Sequence, residues 1–508
     1  MLSLLLAAAI AAPVNPYLAE SPYPLPHRSS AQQDATPTAG PTAPTHALKP
    51  DEIDYVHLGP GHFGAFISPA YADGRRVIWS NGLNGIYKQD AESFRVLAHL
   101  PNGNPDTFEE ARTDASDAAF EENNDGFLAL VHAFREARMF RDLAGVYTMV
   151  DRDNRFYVGL KRGAIAVYGD VGSADSPIEK KGEYVLPAPI TGNLIGINMT
   201  FDGWIVVATE HGYVVAISRD LKQSRFVKLQ HSEHAAEDST RPGYGWVRNS
   251  FAIDERGGIY VASREHLHKV VWTGDKLSID ARDGAWCEPY SNTGGDGTGS
   301  TPALMGFGSE DHLVAITDGD VRMNLTLFWR DAIPLGSQRI AAIAPVSMGS
   351  LKLDAVQSEQ AVVVSGYGAL VVNNTPRNVP WYLPKQARPL LISFLGSNPR
   401  HQPFGVEKFV WDPATHRLAS AWTNAEVSSP NGVPMLSLGS AEVYLVGARD
   451  NRWTLEALNW ESGKSDFRYT IGGARYNNLF SGVILDEQGR PIYGTTWGRV
   501  RLRPKTSP

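Results

Sequence analysis

Asn198, Asn249, Glu407 and Asn431 are the residues whose types and placement suggest chemistry most directly. Each stands just before, or at the opening turn of, a short run of β-branched and aromatic residues. Amide carbonyls and one carboxylate are hard oxygen donors, and a hard cation such as Ca²⁺ takes about six to eight of them. A cation held there would polarise a carbonyl and acidify water, which is the chemistry of ester or lactone hydrolysis. Asparagine also caps turns through its own side chain, and that reading stands beside the first.

A second group is rich in imidazole. His266 and His268 are two apart on an expected strand and so face the same side, with His211, His231 and His234 nearby in sequence, a set suited to a transition metal. The alternative is a solvent-facing strand surface. Asp318, Asp320 and Asn324 also offer oxygen donors, although Asp-Gly-Asp commonly forms a turn. Gly294–Gly299 (GGDGTG) lacks the lysine and following helix of a phosphate loop and reads as a connection. Cys287 is the sole cysteine, which precludes an internal disulfide, and it reads as a small buried apolar residue. There is no G-x-S-x-G elbow and no H-E-x-x-H motif, so the commonest serine hydrolase and zinc protease readings fall away.

The elements that must position these groups are short strands. Asn198–Ala208 (NMTFDGWIVVA), Asn249–Ala262 and Val483–Tyr493 (VILDEQGRPIY) each read strand, Asp/Gly turn, strand. Asp and Gly suit such turns because the backbone needs positive φ and the carboxylate bonds its own main chain. Second strands fall near Tyr157, Val206, Tyr260, Val314, Val363, Ala419, Tyr444 and Tyr493. Most steps are about 50 residues, a spacing that signals propeller blades. An earlier copy spans Gly64–Tyr87.

The expected fold is therefore all-β, a β-propeller of about eight blades, with seven or nine also open. Residues 106–141 show helical spacing at Phe127, Leu130, Val131 and Phe134 and read as a helical insertion. The short step from Ala419 to Tyr444 makes residues 407–430 a candidate truncated sheet. Ile53–His57 is expected to pair with the last strand, near Leu502, and close the ring of a single domain over 51–508.

Composition agrees. A 43% apolar share is globular, and 48 Gly with 33 Pro fit many tight turns. With 55 acidic and 47 basic residues, net charge is −8, which favours neither nucleic acid nor an anionic membrane. Residues 1–12 (MLSLLLAAAIAA) are too short to span a bilayer and read as a signal-peptide core, although no Lys or Arg precedes them. A secreted or periplasmic protein is the expectation. Residues 13–50, rich in Pro, Ser, Thr and Ala, read as a linker or arm over the surface.

Two resemblances follow from these motifs. Leu455–Lys464 (LEALNWESGK) resembles the repeat of quinoprotein propellers, which implies a turn between outer strands and pyrroloquinoline quinone as cofactor. The vicinal cysteines of many quinoprotein alcohol dehydrogenases are absent, since Cys287 stands alone. Ser428–Val433 (SSPNGV) and Glu407–Asp412 (EKFVWD) resemble metal-binding segments of the gluconolactonase and senescence-marker family, which includes strictosidine-synthase-like propellers. That resemblance implies a metal-dependent lactonase or esterase with Asn431 and Glu407 as ligands. A non-catalytic propeller that binds a small molecule in its channel or on its top face, or a protein partner, is the alternative, and a quinoprotein oxidoreductase is the third.

Overall fold

Hairpins built on Asp turns organise the chain. In the turn after Thr148–Val150, Asp151 Oδ1 accepts from the amides of Asp153 and Arg155, while Oδ2 accepts from Tyr157 Oη at 2.8 Å. Asp254 repeats the arrangement, taking the amides of Arg256 and Gly258 and Tyr260 Oη at 2.7 Å. One carboxylate thus satisfies the turn and fixes the tyrosine six residues on. Gly203 and Gly257 occupy the left-handed positions of two such turns, with φ of 91° and 86°.

The computed structural model describes residues 10–101, 115–120, 145–161, 163–238, 245–349, 352–379, 381 and 396–505. Within them lie eight sheets. Numbered along the chain, sheet 1 begins at Phe66–Ile67, sheet 2 at Thr148–Val150, sheet 3 at Leu194–Met199 and sheet 4 at Ala252–Ile253. Sheet 5 begins at Ala303–Met305, sheet 6 at Val363–Ser365, sheet 7 at Met435–Ser437 and sheet 8 at Ile484–Leu485. In each, neighbouring strands run antiparallel outward from that first strand, except that His46–Ala47 joins the outer edge of sheet 7 parallel. Burial falls along the same direction: Ile205–Thr209 is wholly buried, whereas the last strand of sheet 3, Ser224–Lys228, is largely exposed.

Residues 15–36 differ from the expected surface arm. The amides of Ile67, Val150, Ile253, Leu304, Val364 and Leu436, each in or beside the first strand of a different sheet, donate to the carbonyls of Tyr23, Pro24, Ser30, Ala31, Gln33 and Asp34 at 2.7–2.9 Å. Sheet 3 joins through Asn15 Nδ2, which donates to Met199 O at 2.7 Å. Twelve residues span at most about 40 Å when extended. So short a segment reaches the first strands of six sheets only if they surround one axis. Residues 23–36 form an axial ring there, tightened by left-handed backbone at His27, Arg28, Gln32 and Asp34 and by a buried His27–Asp34 pair at 2.7 Å. The chain then adds Ala35–Thr36 to the inner edge of sheet 7 and His46–Ala47 to its outer edge. Proline and small residues suit this path: they allow sharp bends, and they leave carbonyls free to accept from the sheets.

The two ends of the chain share sheet 8. Ile53–His57 pairs antiparallel with Gly498–Leu502, from Ile53 opposite Leu502 to His57 opposite Gly498. Arg501 reinforces the pairing through Asp54, at 2.6 Å. Residues 115–120 are helical and dock on this sheet, where Asp117 accepts from Tyr55 Oη at 2.7 Å and Phe120 meets Trp497 edge-on. The remainder of the expected 106–141 insertion, with Phe127, Leu130, Val131 and Phe134, lies outside the described residues.

Sheet 6 corrects the expected truncated sheet. Val406–Asp412 and Arg417–Asn424 are its two outer strands, and its inner hairpin, Val363–Ser365 with Gly368–Val372, precedes them by an excursion of more than thirty residues. That excursion upset the spacing. Between sheets, indole N–H groups act as ties: Trp79 to Asn154 Oδ1 at 3.0 Å, Trp411 to Asp311 Oδ2 at 2.9 Å, and Trp422 to Trp460 O at 2.9 Å. The last of these reaches the turn of the Leu455–Lys464 motif, which does lie between the outer strands of sheet 7.

Candidate functional site

The four oxygen-donor residues are placed in separate hydrogen-bond networks. Asn198, within the first strand of sheet 3, donates through Nδ2 to Ser30 O at 3.1 Å and Phe251 O at 3.0 Å. Its Oδ1 accepts from the Met199 amide at 2.8 Å. This one side chain links sheet 3, sheet 4 and the axial ring. Asn249 donates to Thr298 O at 3.0 Å. Asn431 donates to Asn477 Oδ1 at 2.6 Å, and its carbonyl accepts from Gln360 Nε2 at 2.6 Å.

Glu407 departs from its expected place at a sheet opening. It lies on the third strand of sheet 6, 1% exposed, and its carboxylate accepts from the amides of Ser347 and Met348, both at 2.8 Å, and from Ser347 Oγ. A carboxylate saturated by backbone amides holds a turn. Asn198, Asn249, Asn431 and Glu407 thus each bond different partners.

The imidazoles divide: His231, His266 and His268 lie together, whereas His211 and His234 bond elsewhere. His211, half-buried, bonds Thr191 Oγ1 at 2.9 Å, and His234 pairs with Glu237 at 3.2 Å on exposed surface. His268 is buried, shares a hydrogen bond with Ser263 Oγ at 3.0 Å, and is pushed down to about 3 by burial, so it is neutral. Cys287 is partly buried, and burial with the neighbouring Glu288 pushes its thiol up to about 11, which removes it as a ready nucleophile. Asp318 and Asp320 close a turn, accepting from Asn324 and from Ser291 and Thr293. Gly294–Gly299 is a connection held by Asn292, whose Oδ1 accepts from the amides of Gly295 and Gly297.

A cleft of about 650 Å³ lies where the turns of sheets 1, 2 and 3 meet. Its wall includes Tyr71, Arg152, Asn154, Arg155, Asp170 and Arg219. Asn154 is fixed from both sides, accepting from Trp79 Nε1 and donating to Tyr71 Oη at 2.8 Å. Tyr71 and Lys88 both bond Asp170 Oδ2, at 2.5 and 3.0 Å, and Arg219 is neutralised by Asp151 at 2.7 Å and by Asp153. Arg152 and Arg155 differ. Arg152 lies over the Tyr17 ring and reaches Pro16 O, and Arg155 donates to Arg219 O; among the described residues no carboxylate pairs with either. Two guanidinium charges thus face a volume typical of small-molecule sites. Sequence reasoning passed over them because they sit inside a structural turn. The signal was there in Asp151–Arg155 (DRDNR), which has arginine at 152 where the matching turns Asp254–Gly258 (DERGG) and Asp486–Arg490 (DEQGR) carry glutamate.

No protein-family model matches the chain. Three solved structures similar to this chain illustrate its likenesses. Quinohemoprotein alcohol dehydrogenase ADHIIG from Pseudomonas putida HK5 is 12% identical, with 95% of this chain and 80% of that chain covered and a TM-score of 0.53. The quinohemoprotein alcohol dehydrogenase of Comamonas testosteroni is 11% identical, with 96% and 78% covered and a TM-score of 0.50. The periplasmic gluconolactonase of Pseudomonas aeruginosa is 13% identical, with 89% and 100% covered and a TM-score of 0.42. The first two likenesses show the fold, a β-propeller. A protein of Archaeoglobus fulgidus, described as an uncharacterized protein, is 33% identical over 512 residues, covering 96% of this chain and 89% of its own length. At that identity and coverage this β-propeller chain belongs to the same family as the archaeal protein.

Proposed function

We propose that this chain is an exported propeller that binds a small anionic molecule, a carboxylate or phosphate ester, in the cleft between sheets 1, 2 and 3. The observation that carries this reading is the pair Arg152 and Arg155, whose charges have no carboxylate partner among the described residues while every other cation of the cleft wall has one. Guanidinium groups recognise such anions through forked hydrogen bonds. The axial ring supports an off-axis site, because residues 23–36 line the centre where a channel ligand would otherwise lie. The apolar run of residues 1–12 supports export.

Calorimetric titration with citrate, inorganic phosphate and a sugar phosphate tests the proposal, with Ca²⁺ and pyrroloquinoline quinone titrated in parallel. One of the anions is expected to bind, and the R152A/R155A double variant to weaken it at least tenfold, since a hydrogen bond to a charged group contributes about 1.5–3 kcal/mol. Equal affinity in wild type and double variant would overturn it.

A further inference from the structure

At the opposite ends of the strands from that cleft, three soft or borderline ligand groups meet. His266 opens the third strand of sheet 4, His266–Trp272, and Trp286–Pro289 pairs antiparallel beside it with His268 opposite Cys287. Directly paired residues share a face, as do residues two apart. His266, His268 and Cys287 therefore share one face. His231 arrives from sheet 3, just past Ser224–Lys228, on a left-handed backbone with φ of 60°. Its ring stacks on His266 with centroids 4.4 Å apart and planes 12° from parallel. One donor atom from each of His231, His266 and Cys287 lies within 4.8 Å of the other two. His268, engaged by Ser263 and 2% exposed, is the floor beneath them.

We propose that His231, His266 and Cys287 form a binding site for a thiophilic transition-metal ion, Zn²⁺ or Cu⁺, bridging sheets 3 and 4. Two imidazoles and a thiolate are a borderline-to-soft set that disfavours Ca²⁺ and Mg²⁺. Tetrahedral zinc with bonds of about 2.0 Å to nitrogen and 2.3 Å to sulfur separates its ligands by about 3.3–3.6 Å. Closing from the observed spacing needs side-chain rotation of about an ångström. His231 is exposed, so rotation there is unhindered and the ion has an entry path. Glu265 adds negative charge near His266. On binding, the Cys287 S–H bond breaks, an S–metal bond forms and the proton passes to solvent, with no change of oxidation state. Three protein ligands leave a fourth position for water.

Cys287 is the only cysteine, so its signals are unambiguous. Titrating the reduced full-length protein with Co²⁺ is expected to give a thiolate-to-cobalt charge-transfer band that saturates at one equivalent and is displaced by Zn²⁺. C287S should abolish the band, and H231A should weaken Co²⁺ at least tenfold while leaving the metal-free melting curve unchanged. Zn²⁺ should also protect Cys287 from alkylation in wild type and fail to do so in H231A. Absence of the band at stoichiometric Co²⁺, or a band and protection unaltered in H231A, would overturn the proposal. Because H231A changes an exposed residue, the test survives if C287S does not fold.

Discussion

Glu442 shows how one buried side chain makes stability depend on pH. It opens the second strand of sheet 7 and is 5% exposed, and burial, with Asp466 adding to it, pushes its carboxyl up to about 8. The folded state therefore holds a proton that the unfolded state releases near 4.5. Where the native form binds more protons, stability falls as pH rises. The loss begins above pH 4.5 and is complete above about 8. Glutamine imitates the protonated acid, so E442Q should melt above wild type by a margin that widens from pH 5 to pH 8. Scanning calorimetry at both values checks this, and a margin independent of pH would contradict the assignment. Asn198 and Glu407 belong to the same scale. Their residue types are those of metal ligands, but the groups they meet are backbone amides and carbonyls.

Among elements, the axial ring has the most to explain. Six backbone hydrogen bonds join it to six sheets, and each contributes about 1 kcal/mol net. Its own winding rests on His27–Asp34, both nearly inaccessible. H27A would leave the buried Asp34 carboxyl without its hydrogen-bond partner and should cost about 1–3 kcal/mol. H234A, which removes an exposed ring paired with Glu237, should stay within about 0.5 kcal/mol. Urea denaturation separates the two outcomes; a loose surface arm would give two small values. The ring also explains why residues 13–50 mislead as sequence. Polar and proline-rich stretches commonly mark solvent, yet here six carbonyls between Tyr23 and Asp34 each accept from an inner-strand amide.

For the molecule as a whole, the ends of the chain decide closure. Gly498–Leu502 lies between Pro491–Gly494 and Ile53–His57, so its loss removes two strand pairings at once. Ending the chain at Trp497 should remove a large share of a total stability of about 5–15 kcal/mol. The expected sign is a broadened, lower-temperature calorimetric transition; an unchanged melting curve would show that sheet 8 closes without it. Closure matters because an open ring exposes unpaired strand edges.

Local order was legible in the sequence because it is written in short-range physics. The Asp/Gly turns and β-branched runs correctly marked second strands at Tyr157, Val206, Tyr260, Val314, Tyr444 and Tyr493. The pairing of Ile53–His57 with the last strand was legible too. Sheet 6 was not, because spacing cannot reveal that strands on either side of a long excursion share one ladder. Only the tertiary structure decided that residues 23–36 line the axis, that Glu407 holds a turn, and that Arg152 and Arg155 face a cleft. Residue type fixes what a side chain is able to bond, whereas the partners it meets are set by long-range convergence of sheets, which no local pattern encodes.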